Sequence, residues 1–170
     1  SMIDTESLKL KSIENVIKTL KNVGIEIDFD DFKVNLVDMN FLKKSTVNLS
    51  NHHDHSIKAV AVLNSNGYVI NILWGLNQLE FESALAHEIL HIWVDYNNIK
   101  LHKDKLEGFC NLGSYLIYKN SNSQLAQVLK RSIDENEDPD YGQGYKYMNS
   151  LLAKHGWDKL ISMLYGNNQN

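Results

Sequence analysis

The chain has 170 residues, of which 43% are hydrophobic and 22% charged. That is enough apolar material for one domain with a sizeable core, and too much for a disordered chain. Seventeen basic against twenty-one acidic side chains give a net charge of -4, and Arg131 is the only arginine. A protein that reads base edges or clamps phosphates relies on arginine forks, so nucleic-acid binding is not expected. The single cysteine, Cys110, excludes an internal disulfide and a four-cysteine zinc module. No apolar run approaches the ~20 residues of a membrane span, and the start lacks the pattern of a signal peptide. The expectation is a cytoplasmic single domain over residues 1–170 without a membrane partner, with Ser1 ahead of Met2 reading as an added residue.

In chain order, Ile3, Leu10, Ile13, Val16, Ile17 and Leu20 recur at helical spacing, and Gly24 supplies a stop. Phe32 to Val37 alternates apolar and polar side chains, as a strand with one buried face does. A polar stretch from Asn48 to His55 reads as a loop. Its His52, His53, Asp54 and His55 are read as solvated, with a second, weaker metal site as the alternative. Two apolar runs, Ile57 to Leu63 and Tyr68 to Trp74, flank Asn64-Ser65-Asn66-Gly67, and the Asn-Gly pair predicts a hairpin. Phe81 to Asp95 is apolar on nearly every face, which predicts a buried helix. Helices are also expected over Leu106 to Tyr118 and Leu125 to Ile133, and from about Gly144 to Leu164 after Pro139, interrupted near Gly156. The acidic run Asp134 to Asp140 reads as a solvated turn. The fold class is α+β, with a small, largely antiparallel sheet followed by a mainly helical C-terminal half.

The buried helix contains His87-Glu88-Ile89-Leu90-His91. Histidines four apart stand about 40° apart around a helix, so both rings can reach one metal ion, and Glu88 lies beside them. Zinc held this way acidifies a water towards ~7, and a neighbouring carboxylate can take the proton as that water attacks a carbonyl. Composition alone predicts roughly 0.015 occurrences of this pattern in such a chain, and two histidines with a glutamate would be costly in an apolar helix unless they had partners.

A catalytic zinc takes three protein ligands and keeps one position open. Downstream candidates are Asp95, His102, Asp104 and Glu107. Asp95 lies one turn beyond His91 and is directed along the axis; His102 and Asp104 would depend on loop geometry. Glu107 opens the next helix, where its carboxylate is rigidly held, and it is the favoured third ligand. Gly108 beside it permits close backbone approach. Asn111 could accept the free ring N–H of a ligand histidine, with an ordinary interhelical hydrogen bond as the alternative. Cys110 is read as a small buried apolar residue.

The ordered set Ile72-Leu73-Trp74-Gly75-Leu76, His87-Glu88-Ile89-Leu90-His91-Ile92-Trp93 and Glu107-Gly108-Phe109-Cys110 resembles the Da-one peptidase domain. Tyr141-Gly142-Gln143-Gly144-Tyr145 and Lys154-His155-Gly156 resemble its C-terminal segment, so the similarity spans residues 57 to 165. The resemblance implies a zincin-like fold and a gluzincin-type zinc peptidase with His87, His91 and Glu107 as ligands and Glu88 as base. Gln143 stands where the family usually has an aspartate, and no LIM domain is present, so the plant members' ubiquitin-dependent activation and substrates are not implied. A looser resemblance is to the ImmA/IrrE group of regulatory peptidases.

An oxyanion donor is also required, and Tyr141, Tyr145 and His155 are the candidates, with Tyr141 favoured by its glycine-rich setting. By analogy with zincins, the strand Tyr68 to Trp74 is a candidate to hold extended substrate; an interior strand is the alternative. The expected activity is zinc-dependent hydrolysis of a peptide or protein substrate, with any activating partner unidentified. A zinc-containing regulatory or interaction domain without turnover is the second expectation.

Overall fold

The computed structural model describes residues 1–46, 57–138 and 142–166. Their order is α1 (Glu6–Lys21), a 3-10 turn at Phe29–Asp31, β1 (Phe32–Val37), α2 (Met39–Thr46), β2 (Ala59–Asn64), β3 (Gly67–Leu73), α3 (Gln78–Tyr96), α4 (Lys103–Lys119), α5 (Gln124–Asp134) and α6 (Gly144–Gly166). The expected α+β class holds. So does the hairpin, with Asn64 opposite Gly67 and β2 antiparallel to β3. Helix α6 is interrupted at Gly156, where φ is 79°. Helix α2 is an element without a counterpart in the sequence reading. The loop at 47–56, with His52, His53, Asp54 and His55, lies outside the described residues, as do Pro139, Asp140 and Tyr141.

The sheet is mixed rather than largely antiparallel. Its strand order is β1-β3-β2, and β1 runs parallel to β3 from Phe32 opposite Tyr68 to Val37 opposite Leu73. The Asn-Gly turn specifies β2 against β3 locally, but β1 joins through a pairing between residues 36 apart, which no local pattern encodes. The same order makes β3 the interior strand and, among the described residues, leaves the outer side of β2 as a free edge. The candidate substrate strand Tyr68 to Trp74 is therefore paired on both sides, so the interior-strand alternative holds in place of the substrate-holding one.

Helix α3 is the centre of the molecule. Asn77 caps it, its side-chain oxygen accepting from the Glu80 N–H at 2.9 Å. Phe81, Leu85, Ala86, Ile89, Leu90, Ile92, Trp93 and Val94 are all buried. Side chains on so many faces are covered because α1, the β2–β3 hairpin and α4 pack around the helix. At each apolar position, burial contributes about 1.5–3 kcal/mol for a large side chain. Tyr68 of β3 donates from its hydroxyl to Asp95 at 2.6 Å, tying the sheet to the C-terminal end of α3. That occupies Asp95 away from His87 and His91.

Two glycines of α4 set its position. A Cβ at Gly113 would lie 3.0 Å from the Ala86 carbonyl oxygen of α3. At Gly108 a Cβ would collide with the backbone of Gly144 at the start of α6. Gly108 thus permits the close approach expected of it, and the neighbour it admits is α6. Gly108→Ala is expected to destabilise the fold by about 2–4 kcal/mol, because the obstruction is backbone and cannot rotate away. Denaturant unfolding of the variant beside the parent protein measures this; a loss below ~0.5 kcal/mol would show that the contact does not constrain α4.

Candidate metal centre

His87 and His91 lie one turn apart on α3, and Glu107 faces them from α4. The His87 and His91 Nε2 atoms are 3.2 Å apart. Glu107 Oε2 lies 3.2 Å from His87 Nε2, and Oε1 lies 3.3 Å from His91 Nε2. Three ligand-type atoms thus converge from two helices, an arrangement that could hold a metal ion. Bonds of 2.0–2.1 Å directed to the corners of a tetrahedron place neighbouring ligand atoms about 3.3–3.4 Å apart. The separation of the two Nε2 atoms fits two corners of that figure, and the Glu107 carboxylate, with one oxygen against each ring, lies on the side of a third.

Asn111, one turn beyond Glu107 on α4, places its side-chain oxygen 2.9 Å from His87 Nδ1. A carbonyl oxygen only accepts, so the ring proton of neutral His87 sits on Nδ1 and the Nε2 lone pair is turned towards Glu107 and His91. Two acceptors, His87 Nε2 and Glu107 Oε2, then face each other. A cation between them, either a metal ion or a second ring proton, removes the repulsion. Burial works against a charged His87, yet the Glu107 carboxylate and the field of Glu88 raise its pKa above the ordinary value. Burial would likewise raise Glu107, but the two histidines hold it well below the usual carboxylate range. The pocket is therefore electrostatically suited to positive charge.

Exposure is graded across the site. The Glu107 side chain is 8% exposed, His87 17% and His91 24%, so the carboxylate lies deepest and the histidine pair opens towards solvent. Glu88 is half-buried, and its Oε2 accepts from the backbone N–H of Ala61 at 2.9 Å. In an antiparallel ladder alternate residues turn both backbone groups to the partner or away from it. Lys58 pairs its carbonyl with the Leu73 N–H. Ala59, Ala61 and Leu63 therefore present their backbone groups along the free edge of β2. No side-chain pattern marks Ala61 as part of the site; only its place in the strand does.

The structure brings together His87, His91 and Glu107 of the residues singled out by spacing, with Asn111 behind them. His102 caps α4, and Asp104 lies in its first turn; the triad forms without either. Cys110 is fully buried, and burial pushes its thiol well above the ordinary pKa, as expected of an inert core residue. Tyr145 is buried and donates from its hydroxyl to Asp134 at 3.0 Å, and His155 lies beside Lys21, Asn22 and Trp157. Neither belongs to the triad. Tyr141, the favoured oxyanion donor, lies outside the described residues. Among those residues no helix is long and apolar enough to cross a membrane.

No family model, curated protein or solved structure matches the chain. The geometry itself makes a prediction. Asn111→Ala is expected to weaken zinc binding roughly 10–100-fold by freeing the His87 ring, and Glu107→Ala more than that. Competition with a chromophoric chelator measures both; undiminished affinity in Glu107→Ala would remove it from the ligand set.

Proposed function

We propose that the protein is a zinc-dependent metallopeptidase of the gluzincin type, in which His87, His91 and Glu107 hold the metal and Glu88 is the general base. The carrying observation is the convergence of the His87 and His91 Nε2 atoms, 3.2 Å apart, on the Glu107 carboxylate, which sets one oxygen 3.2–3.3 Å from each ring, with Glu88 on the same helix as the histidines. The donor set of two neutral imidazoles and one carboxylate suits zinc, and three ligands leave a position for substrate or water. The resemblance of the motif segments to the Da-one peptidase domain agrees with this reading, as does the α+β architecture with a sheet edge beside the metal helix.

Zinc bound here would supply Lewis-acid polarisation of a peptide carbonyl and acidification of water. The chain's own residues carry the proton chemistry. Glu88 takes a proton from the attacking water and delivers it to the departing amine nitrogen, so one carboxylate serves as base and then as acid. The Ala61 N–H holds one oxygen of Glu88 and directs the carboxylate. Asn111 fixes the His87 ring, and the depth of Glu107 keeps its charge out of competition with water. An extended peptide would add to the free edge of β2, pairing with the outward groups of Ala59 and Leu63 and with the Ala61 carbonyl, next to Glu88. The substrate strand of this proposal is β2, in place of β3.

Glu88→Gln is expected to retain zinc and to lose hydrolysis by a factor on the order of 10²–10⁴. Incubating the zinc-loaded protein and this variant with a diverse peptide library, with products read by mass spectrometry, tests the assignment. Cleavage by the parent alone supports it. Absence of cleavage by either, with zinc present in both, would favour a non-catalytic zinc domain.

Ala61→Pro removes the N–H that orients Glu88 but leaves the β2–β3 ladder intact, because that N–H faces outward. Turnover is expected to fall about tenfold or more with zinc affinity preserved. Unchanged kcat would show that the bond does not position the base.

A further inference from the structure

A second feature lies on the other side of α3. Glu82 stands nine residues before His91, which is half a turn around the helix axis, so it faces away from the metal centre. It is 6% exposed. Its Oε2 accepts from the Asn15 side-chain amide of α1 at 3.0 Å, and its Oε1 accepts from the Gln78 amide at 3.0 Å. A carboxylate has about four lone-pair sites, so neutral donors occupy about half of them and none brings a positive charge. A buried anion without a countercharge is costly.

Glu82 opens onto a cavity of about 600 Å³ between α1, the start of α3 and the α4–α5 connection. That volume lies within the range of small-molecule sites. Its lining contains no lysine, arginine or histidine; Ser1, which carries the α-amino group, also lines it but forms no ion pair with Glu82. Thr19, Asn120 and Ser121 line it with polar side chains, and Ile117 and Leu125 line it with apolar ones.

We propose that this cavity binds a small organic primary ammonium, with the –NH3+ group on Glu82 and a short apolar body against Ile117 and Leu125. An ammonium offers three donors and no acceptor, which complements a carboxylate with vacant lone pairs, hydroxyl oxygens and amide oxygens. A hard divalent cation suits the cavity less, because it requires several anionic or carbonyl oxygens and two of the nearest groups, Asn15 and Gln78, present N–H. The ammonium can come from a free amine or from the amino end of a peptide, and both share this recognition. The site does not depend on the metal or on peptidase activity. Since Glu82 and His87 share α3, a ligand here would brace the helix that carries the metal ligands.

The test is titration of the isotopically labelled full-length chain in phosphate buffer with n-butylammonium, n-butanol, and a short apolar peptide with a free or an acetylated amino end. The side-chain amide signals of Asn15, Gln78 and Asn120 are followed by NMR. Saturable shifts with butylammonium and none with butanol are expected. Glu82→Gln, which keeps the size of the side chain, should weaken binding about tenfold, the effect of one charge-assisted hydrogen bond. Leu125→Lys, at a position 42% exposed, should weaken it as well by placing a like charge in the lining. Tighter binding of the free-ended peptide than of butylammonium identifies a peptide amino end as the ligand; the reverse identifies a free amine. No saturable shift with either cation, or equal binding by Glu82→Gln and the parent, overturns the proposal.

Discussion

The packing of α4 against α3 is the constraint on which the candidate metal centre depends. Gly113 admits the Ala86 carbonyl at a distance that any side chain would crowd, and Ser114 donates from its hydroxyl to the Ser83 carbonyl at 2.9 Å. One turn further towards the start of α4, Asn111 meets His87, and a further turn brings Glu107 between the two histidines. Three successive layers thus fix both the separation of the helices and their relative rotation. A carboxylate on a loop would pay for its placement in conformational entropy; on α4 it is already positioned by contacts that also build the core.

The same interface settles the electrostatics. Burying Glu107 raises the cost of its charge, and two imidazoles at 3.2–3.3 Å offset that cost by favouring the anion. Asn111 removes the ambiguity of the His87 ring by accepting its Nδ1 proton. A negative carboxylate and the His87 Nε2 lone pair, with His91 Nε2 beside them, form an arrangement that could hold a cation. The core around the site is apolar, so the field is strongest at the buried Glu107 end.

The sheet contributes through its edge. Because β1 takes the far side of β3, β2 remains open, and an outward N–H at Ala61 reaches Glu88. Glu88, the carboxylate of the motif, is thereby tied to the backbone of β2. On the opposite face of α3, Glu82 lines a cavity and accepts only from the neutral amides of Asn15 and Gln78, so one helix carries two buried carboxylate environments of different character: one framed by imidazoles, the other by amides.

The convergence of His87 and His91 was legible in the sequence, because helical periodicity is local: once Phe81 to Asp95 is a helix, the two must share a face. The Asn64 to Gly67 hairpin and the stop at Gly156 were legible for the same reason, since a turn or a left-handed residue acts over a few positions. Glu107 could be ranked above Asp95, His102 and Asp104 by rigidity alone, but only interhelical packing brings its oxygens to the nitrogens. The parallel pairing of β1, the open edge at β2, the Ala61 N–H on Glu88 and the cavity at Glu82 arise between segments far apart in the chain. Their partners are backbone groups or distant side chains, and no spacing within one segment encodes a contact that only the closing of the fold creates.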